Sequence, residues 1–486
     1  MVEEYFVVYL PVTNTLVPKD PQEAAALVKK LTAAYCATNF SGLNTIYPPV
    51  CTGDPVRGDE KFLSSAILPL PASAAHSIYL HFPFCSSKCS FCRQFSGAGA
   101  GSAHYREYVR LLCRELELYS GRLGNCALAG LYFGGGTPTL FDFERVFGTI
   151  TEKFKLSSPY FLNMESTPYA LTKEKLRALK RIGTTRLNIG VQSLDAQVLK
   201  AINRPVSQIN ILPEIYNEAL RAGLDDIGLE LVCGLPEQTP ESFARDLDRL
   251  ISLRPMGIDI YPFRRTPFTA LYKKHGAMTE AEEELGRRMY RDGKESLKKA
   301  GYTHYGDDFA REPAHRNPHI YRNAPGGARS SCIPVGLSAT GNLRFTGGKT
   351  LTLSNVRDWA LYGELISRGL LPVERASLLS HDEILRARII HLSLFGRMTR
   401  KDFPILCRDE NFRLETILGM FPEEFGILKA AGKIKLSADL SEISWDPLDL
   451  DWFRLFYSPA VMEKCLCAGE NKTLIAAFQT GFCVPA

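Results

Sequence analysis

Six short apolar segments alternate with amphipathic segments between residues 76 and 305, and this repeat most constrains how the chain can fold. The segments predicted as strands are 77–82, 128–133, 159–165, 185–191, 226–232 and 257–262. Those predicted as helices are 102–120, 142–154, 171–181, 207–222, 239–252 and 279–299. Alternating strands and helices form parallel sheets with right-handed crossovers. The repeat therefore predicts an α/β fold with a partial (β/α)6 TIM-like barrel over residues 76–305.

The flanking segments do not continue this repeat. Residues 1–75 are interpreted as an N-terminal extension that could cover one end of the barrel. Residues 306–350, rich in Gly, Pro, Arg and His, are predicted to be a polar connecting segment. Residues 351–486 have a more helical pattern and are predicted to form a smaller, mostly helical C-terminal domain.

Charge and hydropathy exclude some classes of function. The net charge of +5 comes from 58 basic and 53 acidic residues, without the Lys/Arg stripe of a nucleic-acid-binding surface. The N-terminus has acidic residues where a secretory signal has basic ones. No apolar run approaches the ~20 residues that span a bilayer. We expect a cytoplasmic protein with no membrane or nucleic-acid partner.

Three cysteines follow the first predicted strand with the spacing Cys-x3-Cys-x2-Cys: Cys85, Cys89 and Cys92. Three thiolates can hold three irons of a [4Fe–4S] cluster and leave the fourth iron open to a ligand, whereas such clusters normally have four cysteines. Structural zinc is the alternative, since zinc takes four ligands and His81 or His104 could be the fourth. Most of the other ten cysteines are expected to be buried, inert thiols.

A glycine-rich turn follows the second predicted strand, in the sequence Gly134-Gly135-Gly136-Thr137-Pro138. Glycine lets a ligand approach the backbone, and successive N–H groups can bind a charged group. Such turns are often only turns, so the signal is weak by itself. Together with the cysteines it is stronger, because both motifs lie at the carboxyl ends of strands, where barrel enzymes place their sites.

The combination of these motifs resembles the radical S-adenosylmethionine (SAM) enzymes. The cysteine motif follows a Tyr-x-His-x-Pro sequence and precedes Gly-Gly-Gly-Thr-Pro. Three further motifs, Arg186–Gln192, Ile202-Asn-Arg204 and Gly234–Phe243, make the chain similar to the HemN-like branch. This branch contains oxygen-independent coproporphyrinogen III oxidase and related class C methylases and cyclopropanases. The resemblance is strong over 76–305, looser over 351–440 and absent from the first 75 residues.

The resemblance implies roles for individual residues. Cys85, Cys89 and Cys92 would ligate a [4Fe–4S] cluster whose open iron takes SAM, and one-electron reduction would cleave SAM to methionine and a 5′-deoxyadenosyl radical. The electron would come from a donor such as flavodoxin or ferredoxin. Glu230 is expected to have a catalytic role. The residues expected to bind the cofactors are Tyr79, Gly134, Gly135, Gly136, Thr137, Glu165, Gln192 and Arg204.

Simpler interpretations of these residues stay open. Tyr79 on a strand could only pack, Glu165 could be a surface acid, and Gln192 and Arg204 could bridge loops. A further set of candidates for substrate contact is more simply interpreted as solvated loop residues: His304, Tyr305, Asp307, Asp308, His315, His319, Arg322 and Arg329.

Two departures from the oxidase pattern affect the expected reaction. A further cysteine of the oxidases is replaced by Gln94, and their acid before the Gly-Leu-Pro motif is commonly Asp rather than Glu230. We therefore expect radical methyl or methylene transfer with two SAM molecules to an organic substrate. The alternatives are tetrapyrrole chemistry, either coproporphyrinogen III oxidative decarboxylation or haem degradation, and a haem-binding chaperone with little catalysis.

Overall fold

The computed structural model describes residues 16–38, 49–72, 76–305, 308–311, 331–393, 396–399 and 414–470. The strands are, in chain order, β1 (Asp54–Pro55), β2 (His76–Phe82), β3 (Phe84–Cys85), β4 (Gly97–Ala98), β5 (Ala127–Gly135), β6 (Lys155–Ser166), β7 (Arg186–Gln192), β8 (Ile227–Cys233), β9 (Gly257–Pro262), β10 (Thr303–Tyr305), β11 (Asp308–Ala310), β12 (Cys332–Val335), β13 (Thr340–Arg344), β14 (Thr350–Asn355), β15 (Val373–Leu379), β16 (Arg397–Thr399), β17 (Ile434–Leu436) and β18 (Glu442–Trp445).

The helices of the first part of the chain are α1 (Pro21–Thr38), α2 (Glu60–Ala66), α3 (Ser102–Leu123), α4 (Phe143–Lys153), α5 (Lys173–Arg181), α6 (Ala196–Ala201), α7 (Gln208–Arg221), α8 (Pro240–Leu253), α9 (Ala270–His275) and α10 (Glu280–Lys299). Later helices are α11 (Trp359–Ser367), α12 (His381–Leu392), α13 (Leu414–Met420), α14 (Pro422–Ala430) and α15 (Pro459–Glu470). Short 3-10 helices occupy Val50–Thr52, Pro138–Leu140, Pro168–Ala170, Thr346–Gly348 and Pro447–Phe456.

Six parallel strands form the centre of the molecule in the order β2-β5-β6-β7-β8-β9, each followed by at least one helix before the next. This confirms the predicted (β/α)6 core, and the strands lie within a few residues of the predicted segments. Strand β7 is buried along its whole length. Such burial is typical of parallel sheets that have helices against them, and it explains why the strands are apolar runs.

Local sequence signals define the helix ends in this core. Helix α8 begins after Thr239, whose hydroxyl accepts a hydrogen bond from the Ser242 N–H, while the Ser242 side chain binds the Thr239 backbone in return. Pro240 is the first residue of the helix, where its missing N–H costs nothing. This capping box fixes the point at which the chain leaves the sheet after β8.

The sheet extends beyond the predicted barrel on the side of β2. Strand β12 pairs with β2 in parallel, and β13, β14 and β15 continue antiparallel from it. The segment 306–350, predicted as a connection, therefore contributes sheet strands, as does the predicted helical region after 351. These strands carry many polar residues, as in Thr340-Gly-Asn-Leu-Arg, and so lack the apolar runs that indicate a buried strand.

The N-terminal extension lies against C-terminal elements. Helix α1 packs against α15, the 3-10 helix Pro447–Phe456 and α14, and β1 pairs with β15. The described part of this extension is therefore an edge of the sheet and a layer on the C-terminal helices, which differs from the expected cover over one end of the barrel. Within the described ranges, no helix combines the length and the apolar character needed to cross a membrane.

A buried carboxylate joins helix α3 to the added strands. Glu115 is fully buried and accepts hydrogen bonds from Tyr362 Oη at 2.6 Å, Asn355 Nδ2 at 2.7 Å and Gly336 N at 2.8 Å. Burial raises the pKa of Glu115 to about 7, although these donors oppose the shift. The arrangement links the first helix of the barrel to the β12–β14 segment through charge-assisted hydrogen bonds.

Candidate active site

The three cysteines of the motif lie at the carboxyl end of β2, in a loop that begins at β3. All three are free thiols and partly exposed. Burial, together with the neighbouring Cys92, raises the pKa of Cys85 to about 12. The thiol of Cys89 also has a raised pKa because of burial, which the Arg204 guanidinium partly offsets. The three thiols thus lie close enough together to influence one another electrostatically.

The cysteine loop, residues 85–96, is held by its own lysine and by the segment after α6. Lys88 Nζ donates to the carbonyl oxygens of Gln94 at 3.0 Å and Ser96 at 2.7 Å. Ser90 N donates to the Ile202 carbonyl at 3.0 Å, and Asn203 Nδ2 donates to the Lys88 carbonyl at 2.8 Å. The Ile202-Asn-Arg204 motif therefore contacts the cysteine loop directly.

His81 connects strand β2 to the far end of the cysteine loop. Its Nε2 lies 2.7 Å from the Phe95 carbonyl oxygen and its Nδ1 lies 3.0 Å from Tyr79 Oη. Burial lowers the pKa of His81 to about 4, so the ring is neutral near pH 7. Because a carbonyl can only accept, Nε2 carries the proton and Nδ1 accepts from the tyrosine. Both ring nitrogens already make hydrogen bonds, so His81 does not fit the role of fourth zinc ligand in the zinc alternative.

The glycine-rich turn is packed so tightly that side chains are excluded. A Cβ on Gly136 would lie 2.5 Å from the Phe84 carbonyl oxygen, and one on Gly135 would lie 2.7 Å from the His81 ring. Gly135 N donates to Glu165 Oε2 at 3.1 Å, and Gly136 N donates to the Phe82 carbonyl at 2.6 Å. These N–H groups are therefore already bonded, which differs from the expectation that they are exposed to a charged group. A ligand with an ammonium group would instead need hydrogen-bond acceptors. The Phe82 and Phe84 carbonyls and the Glu165 carboxylate beside the turn are acceptors of this kind.

Glu165 and Glu230 form a pair of neighbouring carboxylates on the sheet. Glu165, near the end of β6, accepts a hydrogen bond from Tyr132 Oη in addition to the one from Gly135. Burial, together with the charge of Glu230, raises the pKa of Glu165 to about 7. Glu230 lies on β8 opposite Gly190 in the sheet register. A cation near these two carboxylates would be stabilised by both.

Gln192 and Arg204 both lie against Gly190. Gln192 ends β7 with a φ of 69°, a left-handed conformation that is uncommon for a residue with a side chain. A Cβ on Gly190 would lie 2.7 Å from Gln192 Nε2, so the absence of a side chain there leaves room for the glutamine. Arg204 is buried, and its Nη2 donates to the Gly190 carbonyl at 2.6 Å. Arg204 also lies next to Cys89, with 3.9 Å between Nη1 and Sγ.

The donor set fits an iron–sulfur cluster. The three free thiols belong to one loop at the carboxyl end of β2, and the Thr137 hydroxyl and the Arg204 guanidinium contact two of them. In the described ranges, no three His, Cys, Asp or Glu side chains converge on a point that could hold a single metal ion. A four-iron cluster takes one cysteine on each of several irons, so its ligands surround a volume larger than one ion. The cysteines are therefore the residues that would hold such a cluster.

The structure brings together nearly all of the predicted site residues. Most of them lie on or just after neighbouring parallel strands: Tyr79, Gly134 to Gly136, Thr137, Glu165, Gln192, Glu230 and the cysteines. Arg204 follows α6 and reaches the strands through its hydrogen bond to the Gly190 carbonyl. His304 lies apart from these residues, on the outermost strand β10, with its ring tilted by 32° against that of Phe309. Of the other candidates for substrate contact, Asp307, His315, His319, Arg322 and Arg329 lie outside the described residues, and only the backbone is described for Tyr305 and Asp308.

Three residues of the site were missed as contributors: Tyr132, Lys88 and, except as a zinc ligand, His81. Tyr132 lies two residues before Gly134 on β5, so the two residues share a face of the sheet. That period-two relation was available in the sequence and could have placed Tyr132 beside Glu165. The role of Lys88 depends on the folded path of its loop, for which the sequence gives no signal.

The chain is similar to known proteins over most of its length. A family model described as the radical SAM superfamily matches residues 79–250. An anaerobic coproporphyrinogen III oxidase of Cereibacter sphaeroides is 30% identical over 72% of this chain and 78% of that protein. An oxygen-independent coproporphyrinogen III oxidase of Paracoccus denitrificans is 28% identical over 77% of this chain and 84% of that protein. The fold matches that of the Escherichia coli coproporphyrinogen III oxidase HemN with a TM-score of 0.69, at 20% identity, covering 88% of this chain and 96% of that one.

Proposed function

From the premise that the chain belongs to the HemN-like family of radical SAM enzymes, we propose that it oxidatively decarboxylates a propionate side chain of coproporphyrinogen III. In this reaction the side chain loses carbon dioxide, one hydrogen atom and one electron, and becomes a vinyl group. The hydrogen atom goes to the 5′-deoxyadenosyl radical and the electron goes to a one-electron acceptor. Each propionate consumes one SAM.

The observation that carries this proposal is the extent of the similarity. Coproporphyrinogen III oxidases match this chain over about three quarters of its length, well beyond the radical SAM core at residues 79–250. A likeness confined to the core would support only SAM cleavage, because fold and function are separable. Similarity across the remaining part supports a shared substrate class as well. The comparisons therefore favour tetrapyrrole chemistry over the methyl or methylene transfer expected from the sequence.

The family implies a [4Fe–4S] cluster and SAM, and the chain offers residues for both. When bound, the cluster supplies the electron that cleaves SAM. We assign Cys85, Cys89 and Cys92 to the cluster. We assign the Glu165 carboxylate, which accepts a hydrogen bond from Tyr132 Oη, to the amino group of SAM, from which it would accept hydrogen bonds.

Arg204 is suited to the carboxylate of SAM. A guanidinium has five N–H donors, and the described contacts of Arg204 use three of them. Two donors are left, which is the number that a bidentate carboxylate contact needs. We assign Gln192, the last residue of β7, to a hydroxyl group of SAM. The electron donor is proposed to be a small redox protein such as flavodoxin or ferredoxin.

The test is product analysis with the anaerobically reconstituted, reduced protein. We expect 5′-deoxyadenosine to form from SAM, and coproporphyrinogen III to lose carbon dioxide in proportion. Cys85→Ala should abolish both reactions and lower the iron content. Cys113→Ala is the matched control, because it removes a buried thiol of α3 that is not in the motif.

The products that form from SAM and from the substrate distinguish the candidate functions. Formation of 5′-deoxyadenosine without any loss of carbon dioxide would contradict the proposed substrate but keep the enzyme class. S-adenosylhomocysteine beside 5′-deoxyadenosine would indicate methyl transfer instead. Tight haem binding with no cleavage of SAM would indicate a haem-binding chaperone.

A further inference from the structure

Two hydrogen-bond donors outside the cysteine loop contact two of the three motif thiols. Thr137 Oγ1 lies 3.4 Å from Cys85 Sγ, and Arg204 Nη1 lies 3.9 Å from Cys89 Sγ. Both donors are nearly inaccessible to solvent, with exposed fractions of 1% and 6%. They come from different parts of the chain, after β5 and after α6. The fold thus provides one donor to each of two thiols.

The Thr137 hydroxyl is available for the sulfur because the adjacent helix does not use it. Thr137 precedes the 3-10 helix Pro138–Leu140, yet its side chain makes no capping hydrogen bond there. Its backbone N–H is bonded to the Phe84 carbonyl at 2.9 Å, which fixes the residue beside Cys85. The next threonine of the turn differs, because Thr139 Oγ1 pairs with Ser166 Oγ at 2.7 Å.

The Arg204 guanidinium is a fixed positive charge beside Cys89. Its Nη2 donates to the Gly190 carbonyl at 2.6 Å and its Nε donates to Gln208 Oε1 at 3.2 Å. Gln208 is itself held by the carbonyls of Val191 and Ser193. The Tyr169 ring lies under the guanidinium, with 5.6 Å from Cζ to the ring centroid. These contacts define where the charge lies relative to the sulfur.

We propose that Thr137 and Arg204 are positioning residues that raise the reduction potential of the cluster held by Cys85, Cys89 and Cys92. This inference rests on the proposed function, because it needs the cluster to be bound by these cysteines. Adding an electron increases the negative charge on the cluster and its thiolates. Hydrogen bonds to ligand sulfurs and nearby positive charge stabilise that reduced form more than the oxidised form. Both groups therefore make the cluster easier to reduce.

The experiment measures the midpoint potential of the reconstituted full-length protein without SAM. A chemical one-electron reductant supplies the electron in a titration followed by electron paramagnetic resonance of the reduced cluster. Leaving SAM out separates the effect on potential from any role of Arg204 in binding SAM. The variants are Thr137→Val, which replaces the hydroxyl by a methyl group, and Thr137→Ser, which keeps it. Thr139→Val is the matched control, since it removes a buried hydroxyl of the same turn that does not contact sulfur.

We expect Thr137→Val to lower the equilibrium constant for reduction by about tenfold, which is a shift of about 59 mV to a more negative potential for a one-electron couple. Thr137→Ser and Thr139→Val should keep the wild-type potential. Arg204→Gln should shift the potential in the same direction, and Arg204→Lys should shift it less because the charge is kept.

The inference is overturned if Thr137→Val and Arg204→Gln bind a full complement of iron and keep the wild-type potential. It is also overturned if Thr139→Val shifts the potential as much as Thr137→Val, since the cause would then be general packing. If Thr137→Val binds too little iron for the titration, the comparison of the two Arg204 variants decides. The inference then requires a more negative potential for Arg204→Gln than for Arg204→Lys. Failure of the wild-type protein to bind iron would instead contradict the proposed function.

Discussion

The Tyr132 hydroxyl donates a hydrogen bond to Glu165 Oε1 across two neighbouring parallel strands of the barrel. The other carboxylate oxygen, Oε2, accepts the Gly135 N–H. One side chain and one backbone group thus fix the position of the same carboxylate. Because oriented hydrogen bonds pre-organise a binding group, Tyr132 should contribute to the affinity for SAM without touching it.

Tyr132→Phe should therefore weaken the binding of SAM. The loss of a hydrogen bond to a charged group costs about 1.5 kcal/mol, which is roughly tenfold in the dissociation constant. Equilibrium binding of SAM to the reconstituted protein measures this. Tyr160→Phe is the control, since its hydroxyl bonds only the Ile182 carbonyl among the described residues and should leave the affinity unchanged. Equal effects of the two substitutions would contradict the assigned role.

The binding of SAM should depend on pH through Glu165. Burial, together with the charge of Glu230, raises the pKa of Glu165 to about 7. The carboxyl group is protonated and neutral below this value, and it attracts an ammonium group only above it. We expect the affinity for SAM to fall by about tenfold from pH 8 to pH 6. Glu165→Gln should bind weakly and without this pH dependence, so a variant that retains the wild-type profile would disprove the assignment.

The tight packing of the glycine turn predicts a large effect of one methyl group. In Gly136→Ala the new Cβ would lie 2.5 Å from the Phe84 carbonyl and 2.8 Å from the Phe82 carbonyl, so the backbone must shift. We expect loss of iron binding and a destabilisation of about 2 kcal/mol or more. Gly148→Ala in α4 is the control, because a Cβ there meets no atom within 4 Å. That change should stabilise the helix by about 0.5–1 kcal/mol. Thermal unfolding and iron content distinguish the two variants.

Glu115 should make the stability of the protein depend on pH in the opposite sense to most carboxylates. Its pKa rises from 4.5 to about 7 on folding, so the folded protein holds a proton that the unfolded chain has released. The stabilisation is therefore present below about pH 4.5 and is lost as the pH rises to about 7, by up to about 3 kcal/mol.

Glu115→Gln removes this titration. The difference in unfolding midpoint between wild type and variant should change steadily between pH 5 and pH 8, with the wild type losing stability relative to the variant as the pH rises. Glu107→Gln, at an exposed position of the same helix, is the control. If the unfolding midpoints of wild type and Glu115→Gln change with pH in the same way, Glu115 does not titrate in this range.

The sequence was sufficient to predict the central strands and the cysteine motif, for a physical reason. Parallel strands buried along their length are short apolar runs, and the helices between them have a period near 3.6. The three cysteines proposed as cluster ligands lie within eight residues of one another, so their spacing is visible without the fold. Cys85, Cys89 and Cys92 could therefore be identified from order alone.

Long-range contacts could not be predicted in the same way. The hydrogen bond from Tyr132 to Glu165 joins residues 33 positions apart, and the one from Tyr362 to Glu115 joins residues 247 apart. The packing of α1 on C-terminal helices depends on surfaces that form only when both are folded. The glycine motif indicated that another group approaches the backbone closely. Whether the N–H groups of the motif were free to bind a ligand depended on the position of Glu165, which accepts the hydrogen bond from Gly135 N.

Strand β2, which ends just before Cys85, is an interior strand because β12 lies on one side of it and β5 on the other. Its backbone amides are therefore bonded on both edges, and a strand of this kind opens only with much of the sheet. Amide hydrogen exchange along 76–82 should be among the slowest in the protein. Loss of the cluster to air would then leave this strand protected, so a protein that has lost its iron would keep the framework needed to take it up again.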